Sequence, residues 1–354
     1  MCRPRSPAWY LYIFLDYVLA TTVVTPLVVL YWRCIWMLED TYMLPQYPLV
    51  SGWVSVAVGF LIVFWCQLMQ EVLDGVGRKN YGLFMLVSRI YSMVMGVGVV
   101  TQWRGLWALE DLYFDITVQS ALWTLVVASA AITLAGGLST VGNAVPFVFL
   151  PDYPDTYFLS PSRFGTKSMQ SLCRYFWDSA FTIFVIQALA ISCWRGLWTL
   201  LDFTIYPNNP RLSAVVSLES GGLATLLLLV SQPIARAIAR QLGTIWRRVF
   251  EGAWNIAVAY AAVSVWRGIW MLIDEYFLED VTCFAIGALV SVCALQTLYT
   301  GNSVHTKGIV VDGQTDDDSD IMFPINFFHS FMPTESYVTA KLKEDPEKEA
   351  PTLV

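Results

Sequence analysis

Charge is scarce in this chain: Asp, Glu, Lys and Arg make up 14% of its 354 residues, against 56% hydrophobic ones. Soluble domains carry roughly a quarter charged residues. With a mean hydropathy of +0.55, the balance excludes an ordinary water-soluble fold and points to an integral membrane protein. Histidine is nearly absent, and His305 and His329 both fall in the polar C-terminal stretch. The apolar body therefore has no His/carboxylate cluster for acid–base or metal chemistry. It also has no nucleophile elbow and no phosphate loop, so neither an enzyme nor a cofactor is expected. The seven cysteines (Cys2, Cys34, Cys66, Cys173, Cys193, Cys283, Cys293) contain no CxxC pair and read as packing residues. Only Cys34 and Cys193, at corresponding places in the chain, are candidates to pair on an oxidising side. No Asn-x-Ser/Thr sequon is present, and a net charge of −7 leaves no basic footprint for nucleic acid. Proline is sparse within the apolar runs, where Pro26 is the mid-span example.

What the chain does have is one phrase written four times. Trp32-Arg33-Cys34-Ile35-Trp36-Met37-Leu38-Glu39-Asp40 recurs as 103–111, 194–202 and 266–274. Every copy keeps Trp, Arg at +1, Trp at +4, Leu at +6 and Asp at +8: Trp103, Arg104, Trp107, Asp111; Trp194, Arg195, Trp198, Asp202; Trp266, Arg267, Trp270, Asp274. Copies one and two start 71 residues apart and copies three and four 72, while the two pairs are offset by 162 and 163. That spacing describes a two-span unit duplicated twice.

Eight apolar stretches reach bilayer length, near 9–31, 49–69, 81–103, 116–136, 175–197, 213–235, 249–270 and 281–300. The predicted fold is an all-α polytopic membrane protein of eight transmembrane helices, built from four two-helix repeats in two parallel halves. Its divisions are a first membrane half (1–136), a cytoplasmic, irregular, proline-bearing linker (137–174), a second membrane half (175–300) and a largely disordered acidic cytoplasmic tail (301–354). Eleven Lys and Arg fall on the N-terminal side of the spans against five on the motif side. Both termini are thus expected in the cytoplasm, with the motifs and their acidic turns facing outward.

The motif tryptophans alone fit an interfacial belt, but a belt leaves the fixed Arg and Asp unexplained. Seven residues apart, these two share a helix face about 10 Å from one another along the axis. The expectation is a structural clamp in which each Arg reaches the Asp of a neighbouring repeat and stacks on a Trp. Four ionisable residues within spans, Asp16, Arg89, Asp178 and Glu219, are candidates for a polar pathway. Asp16 and Asp178 each stand sixteen residues before a motif Trp and also suit local capping. The C-terminal Thr352-Leu353-Val354 has the form of a PDZ-domain ligand.

The four Trp-Arg-Gly/Cys-Leu/Ile-Trp phrases, the eight spans and the tail together resemble the Fuseless family of eight-pass membrane proteins over most of residues 9–300. Cys34 departs from the glycine of the other copies. The resemblance implies a presynaptic plasma-membrane protein that organises voltage-gated calcium channels at active zones for synaptic transmission. A cytoplasmic PDZ scaffold is a further expected partner beside the lipid bilayer. The rival expectation is a transporter or channel for a small solute or ion.

Overall fold

The computed structural model describes residues 7–77, 79–149, 151–277, 280–305, 308–313 and 327–330. It is all-α. Helix α1 (Pro7–Leu19) runs through a π-helical turn (Ala20–Val24) into α2 (Thr25–Tyr42); α3 (Pro48–Gly77), α4 (Tyr81–Phe114) and α5 (Val118–Leu134) follow. After a long connection, α6 (Leu172–Phe181) passes through a second π turn (Thr182–Gln187) into α7 (Ala188–Thr204). Then come α8 (Pro210–Gln241), α9 (Thr244–Tyr276), α10 (Val281–Thr297) and the short α11 (Phe327–Ser330).

Six of these helical segments are long and apolar enough to cross a membrane: Leu11–Tyr42, Pro48–Val76, Tyr81–Phe114, Leu172–Thr204, Pro210–Gln241 and Thr244–Tyr276. The other two predicted spans are the shorter apolar helices Val118–Leu134 and Val281–Thr297. At 17 residues each they extend about 26 Å, just short of a hydrocarbon core of roughly 30 Å. The motif does not terminate its helices, as the predicted spans had it. Each copy continues as helix through its Asp, because nothing in Trp-Arg-Gly-Leu-Trp breaks a helix and the charged groups find partners sideways.

The four motif helices α2, α4, α7 and α9 form a closed inner ring in which each touches two others. One outer helix backs each: α3 packs on α4, α5 on α7, α8 on α9, and α10 returns to pack on α2. The packed pair is therefore a motif helix with the helix before it in the chain, rather than the one after it. The first motif helix receives the last long helix, so the two halves share one ring.

Glycine sets the distance between inner and outer helices. A Cβ on Gly105 would lie 2.5 Å from the backbone nitrogen of Val56, and one on Gly268 would lie 2.7 Å from that of Leu218. From the other side, Gly59 and Gly221 approach the backbone nitrogens of Gln102 and Val265 just as closely. The first copy carries Cys34 instead, and there the glycine has changed sides: Gly287 of α10 faces Cys34, whose Sγ would be 2.6 Å from an added Cβ. Close packing survives the departure from the motif. Cys34 and Cys193 do not meet each other; Cys193 lies 3.6 Å from the Ser129 hydroxyl.

The ring alternates in kind. The π turns occur in the first and third motif helices, 162 residues apart, each before the motif. In the first, Thr25 donates its hydroxyl to the Ala20 carbonyl (2.7 Å) ahead of Pro26, which has no N–H to give. Pro233, toward the far end of α8, lies inside the continuous helix.

The connection read as a cytoplasmic linker has a largely irregular backbone and packs into the body. Residues 138–149 and 151–161 fold back into the end of the ring opposite the motif aspartates, with Phe147, Phe149, Tyr157 and Phe158 buried in the core. The reason is its composition: these four rings have more to gain from burial than an exposed loop allows. The beginning of the predicted tail joins them. Gly301–Val304 forms a 3₁₀ turn and Val304, His305 and Ile309 are buried. Together the two segments make a plug in the mouth of the ring.

The candidate site: a ring of tryptophans and ion pairs

Four identical phrases on four adjacent helices place like residues at one level. Trp32, Trp103, Trp194 and Trp266 close a square, each edge-to-face with its neighbours at 5.3–5.5 Å between centroids and 85–88° between planes. One helical turn along, Trp36, Trp107, Trp198 and Trp270 close a second square at 5.6–6.0 Å and 82–88°. Edge-to-face geometry sets the positive rim of one indole on the negative face of the next, so each square is electrostatically self-complementary. Three indole N–H groups of the first square donate to the plug backbone: Trp32 to Val304 (2.7 Å), Trp194 to Val141 (2.7 Å) and Trp266 to Val145 (2.8 Å). Buried carbonyls of an irregular segment are thereby satisfied by the ring that encloses them.

The motif arginines bond around the ring in one direction. Arg104 reaches Asp40 (2.7 Å), Arg195 reaches Asp111 (2.7 Å), Arg267 reaches Asp202 (2.8 Å), and Arg33 closes the circle on Asp274. Each Arg thus pairs with the Asp of the adjacent copy, as the seven-residue separation within a copy requires. Stacking on tryptophan occurs for Arg33, whose guanidinium lies 5.0 Å over the Trp270 ring.

The surroundings of the pairs alternate as the helices do. Arg104 also donates to Ser55 (2.7 Å) and Ser51 (3.1 Å), and Arg267 to Ser217 and Ser213, their counterparts 162 residues on. Arg195, wholly buried, instead has Glu110 at 3.8 Å and the Asp115 carbonyl at 3.3 Å. Glu39 and Glu110 do not face outward with the acidic turns, as expected of them. They are buried and accept hydroxyl bonds from Thr101 and Ser192. The signal was available in the sequence: Glu at +7 falls one residue before the Asp, a different helix face from it.

Inside the ring is a cavity of about 720 Å³, lined by all eight motif tryptophans, by Arg33, Asp40, Arg104 and Asp111 toward one end, and by plug residues toward the other. That volume falls within the range of small-molecule sites.

The four in-span ionisable residues do not converge on this cavity. Arg89 donates to Asp152 (2.8 Å), which also accepts the backbone N–H of Asn302 (3.0 Å) and Gly301 (3.1 Å) and so joins the two plug segments. Burial pushes the Asp152 carboxyl above the usual carboxylate range, against the pull of the Asn302 amide and of Arg89. Asp178 accepts from Ser162 (2.7 Å) and from the amides of Phe164 (2.9 Å) and Thr166 (3.0 Å). Its counterpart Asp16 accepts the Phe328 amide (2.6 Å). These three hold incoming chain. Glu219 lies on an exposed face of α8, not between repeats, because Ser217 occupies the inward position beside Arg267. Thr352, Leu353 and Val354 lie outside the described residues.

Comparison with known proteins gives one result. No curated protein and no solved structure matches the chain, while the sequence pattern that defines the Fuseless family matches residues 11–305. That interval holds the four motif copies, the helices that pair them and both segments of the plug as far as His305, and the chain belongs to the Fuseless family.

Proposed function

We propose that this protein is a non-enzymatic, eight-pass organiser that positions voltage-gated calcium channels and their partners at the presynaptic plasma membrane. Both termini are cytoplasmic and the tail acts as a tether. Support for the eight spans comes from α5 and α10, which run beside α7 and α2 as α3 and α8 run beside α4 and α9. The duplication has its support in the matching π turns and serine pairs. The orientation rests on arginines grouped at the plug end, among them Arg163, Arg174, Arg236, Arg240 and Arg247.

One observation carries the organiser reading: the ring is occluded at one end by the chain itself. Val141, Val145 and Val304 stand in it, bonded to the inner tryptophans; Phe147, Phe149, Tyr157 and Phe158 anchor the plug in the core, and Asp152 and Asp312 pin it, the latter accepting from the amides of Leu138 (2.9 Å) and Ser139 (2.9 Å). A ring closed at one end by its own chain suits a body that holds partners better than one that passes solute, and the plug continues in sequence into the tail. The test is recovery of calcium-channel subunits with the full-length protein from neurons, against the same protein lacking Thr352, Leu353 and Val354. The full chain retains channels and synaptic clustering; the shortened one loses clustering while its fold, judged by elution volume, is unchanged. Equal recovery and clustering of both sinks the tether, and absence of channel subunits from the full-length protein sinks the organiser.

The transporter or channel reading has the axial cavity in its favour. Solute flux through the purified protein in liposomes, abolished by substitutions in the tryptophan squares, would establish it instead.

A further inference from the structure

Glu219 is the only charged residue of α8 between Arg211 and Arg236. Arg211 marks the boundary on the motif side: it pairs with Glu275 and lies 5.9 Å over the Tyr276 ring, a combination of charge and aromatic surface that belongs at the headgroups. The two arginines stand 25 residues apart, about 37 Å of helix, so a hydrocarbon core of roughly 30 Å centred between them begins about 4 Å inside each. Glu219, about 12 Å along the helix from Arg211, is then about 8 Å within the core. It is exposed, and no hydrogen bond or ion pair reaches its carboxylate among the described residues. An ionisable group turned toward lipid is costly unless something answers it.

The first half of the molecule holds the counterpart of this flank. Helices α3 and α8 correspond at an offset of 162, at which Ser51, Ser55 and Gly59 recur as Ser213, Ser217 and Gly221. In that register Ala57 and Phe60 stand where α8 has Glu219 and Gly222. Phe60 is buried and stacks on Phe184 of the second π turn at 5.4 Å between centroids, and Phe64 meets Phe176 of α6 at 5.3 Å. The molecule thus covers that flank of α3 with its own chain. On α8 the same flank is bare. A Cβ on Gly222 would meet nothing within 4 Å, and Leu226 and Phe14, the counterparts of Phe64 and Phe176, are exposed. Among the described residues, α9 is the only helix packed along α8. The seat that aromatic rings fill in one half is open in the other, where it is lined by a glycine and carries a carboxylate.

We infer that this flank of α8 is the docking site for one membrane-spanning helix of another protein, a helix with an arginine or lysine inside its apolar run. The cation answers Glu219, and a large apolar side chain about one turn deeper fills the space over Gly222, where the missing side chain lets a helix approach closely. A second copy of this chain does not suit the seat. Its own in-span cation, Arg89, is engaged by Asp152, and two copies meeting here would set carboxylate against carboxylate. The site lies within the membrane, away from the tail, and does not depend on what the tail tethers.

The experiment places the donor-labelled full-length protein in phosphatidylcholine liposomes with an acceptor-labelled synthetic helix of Leu and Ala that carries one Arg about 8 Å inside its apolar run. Energy transfer is followed as the ratio of peptide to lipid rises. Association with the wild type should be at least about tenfold stronger for the Arg peptide than for the same peptide with Leu in its place. Glu219→Gln should bring the Arg peptide down to the level of the Leu peptide, and Glu219→Lys should shift the preference to a peptide with Glu at that position. Gly222→Phe, which installs the residue of the counterpart helix, should weaken association about threefold or more. Both positions are open to the surface, so these variants should elute as the wild type does. Ala57→Glu should create no second site, because the seat beside it is already filled. Equal association of the Arg and Leu peptides with the wild type, or an undiminished Arg signal in Glu219→Gln, overturns the inference. So does energy transfer between copies of the protein itself that disappears in Glu219→Gln, which would assign the flank to a second copy.

Discussion

Removing Asp202 should destabilise the protein more than removing its partner Arg267, although both substitutions delete the same ion pair. The Arg267 side chain is 2% exposed and that of Asp202 is 48%. With Asp202→Ala, a guanidinium is left in the protein interior with only the hydroxyls of Ser213 and Ser217, and stranding a buried charge costs about 3–5 kcal/mol. With Arg267→Met, the stranded group is a carboxylate that water already reaches on about half its surface. The cost then falls to about 1–2 kcal/mol, closer to a surface pair. The double variant should lie near Arg267→Met alone, well short of the sum, because the two side chains act on one another. Reversible unfolding of each variant in mixed detergent micelles measures all three. Equal costs for the two single variants, or an additive double variant, would refute the assignment of the pair's energy to burial of the guanidinium.

Four further outcomes follow from the same geometry. Gly105→Ala pushes a methyl to 2.5 Å from the Val56 backbone, which cannot give way as a side chain can; a loss of about 2–3 kcal/mol should register as a lower melting temperature. Gly287→Ala should be milder, since it meets only the Cys34 thiol, and adding Cys34→Gly should restore most of the loss in a double-mutant cycle. Trp266→Phe deletes the donor to Val145 and should cost about 1–3 kcal/mol by leaving a buried carbonyl unpaired, read out as faster hydrogen exchange in the 140–149 segment. For Asp152, whose carboxyl is raised by burial, the folded state binds its proton more tightly than the unfolded state does. Its contribution is thus complete below the ordinary carboxylate range near pH 4 and is lost as pH rises through the raised value. In unfolding curves taken at several pH values, wild type should lose stability over that interval relative to Asp152→Asn.

Much of the inner ring was legible because its information is local and repeated. Four spaced copies of Trp, Arg and Asp fixed which helices are alike, and the distance from Arg33 to Asp40 along one helix ruled out pairing within a copy. The direction in which each Arg turns was not legible, since it depends on the order of helices around the ring. Closure of α10 on α2 belongs to the same class, and so does the glycine that moved from position 34 to 287: both join residues more than 200 apart in sequence. The plug was misplaced for a different reason. Prolines at 146, 151, 154 and 161 mark irregular backbone, which is ordinarily exposed. Here the indole N–H groups of Trp32, Trp194 and Trp266 satisfy the carbonyls that would otherwise keep it in water. Glu219 was a candidate on its charge within a span alone, which carries no information on helix face; two residues from the inward Ser217, it falls on the outer side of α8.

The return of α10 onto α2 sets an order of assembly. At about 5–20 residues per second, the chain needs roughly 13–50 seconds to extend from the end of α2 to the end of α10. Throughout that time the first helix is in the membrane with one flank uncovered. Cys34 and the rest of that flank are then available to chaperones, to lipids or to a neighbouring nascent copy, and every truncation before α10 leaves α2 without its outer helix. A completed molecule has no such seam, because the helix inserted first is sealed by the one inserted last.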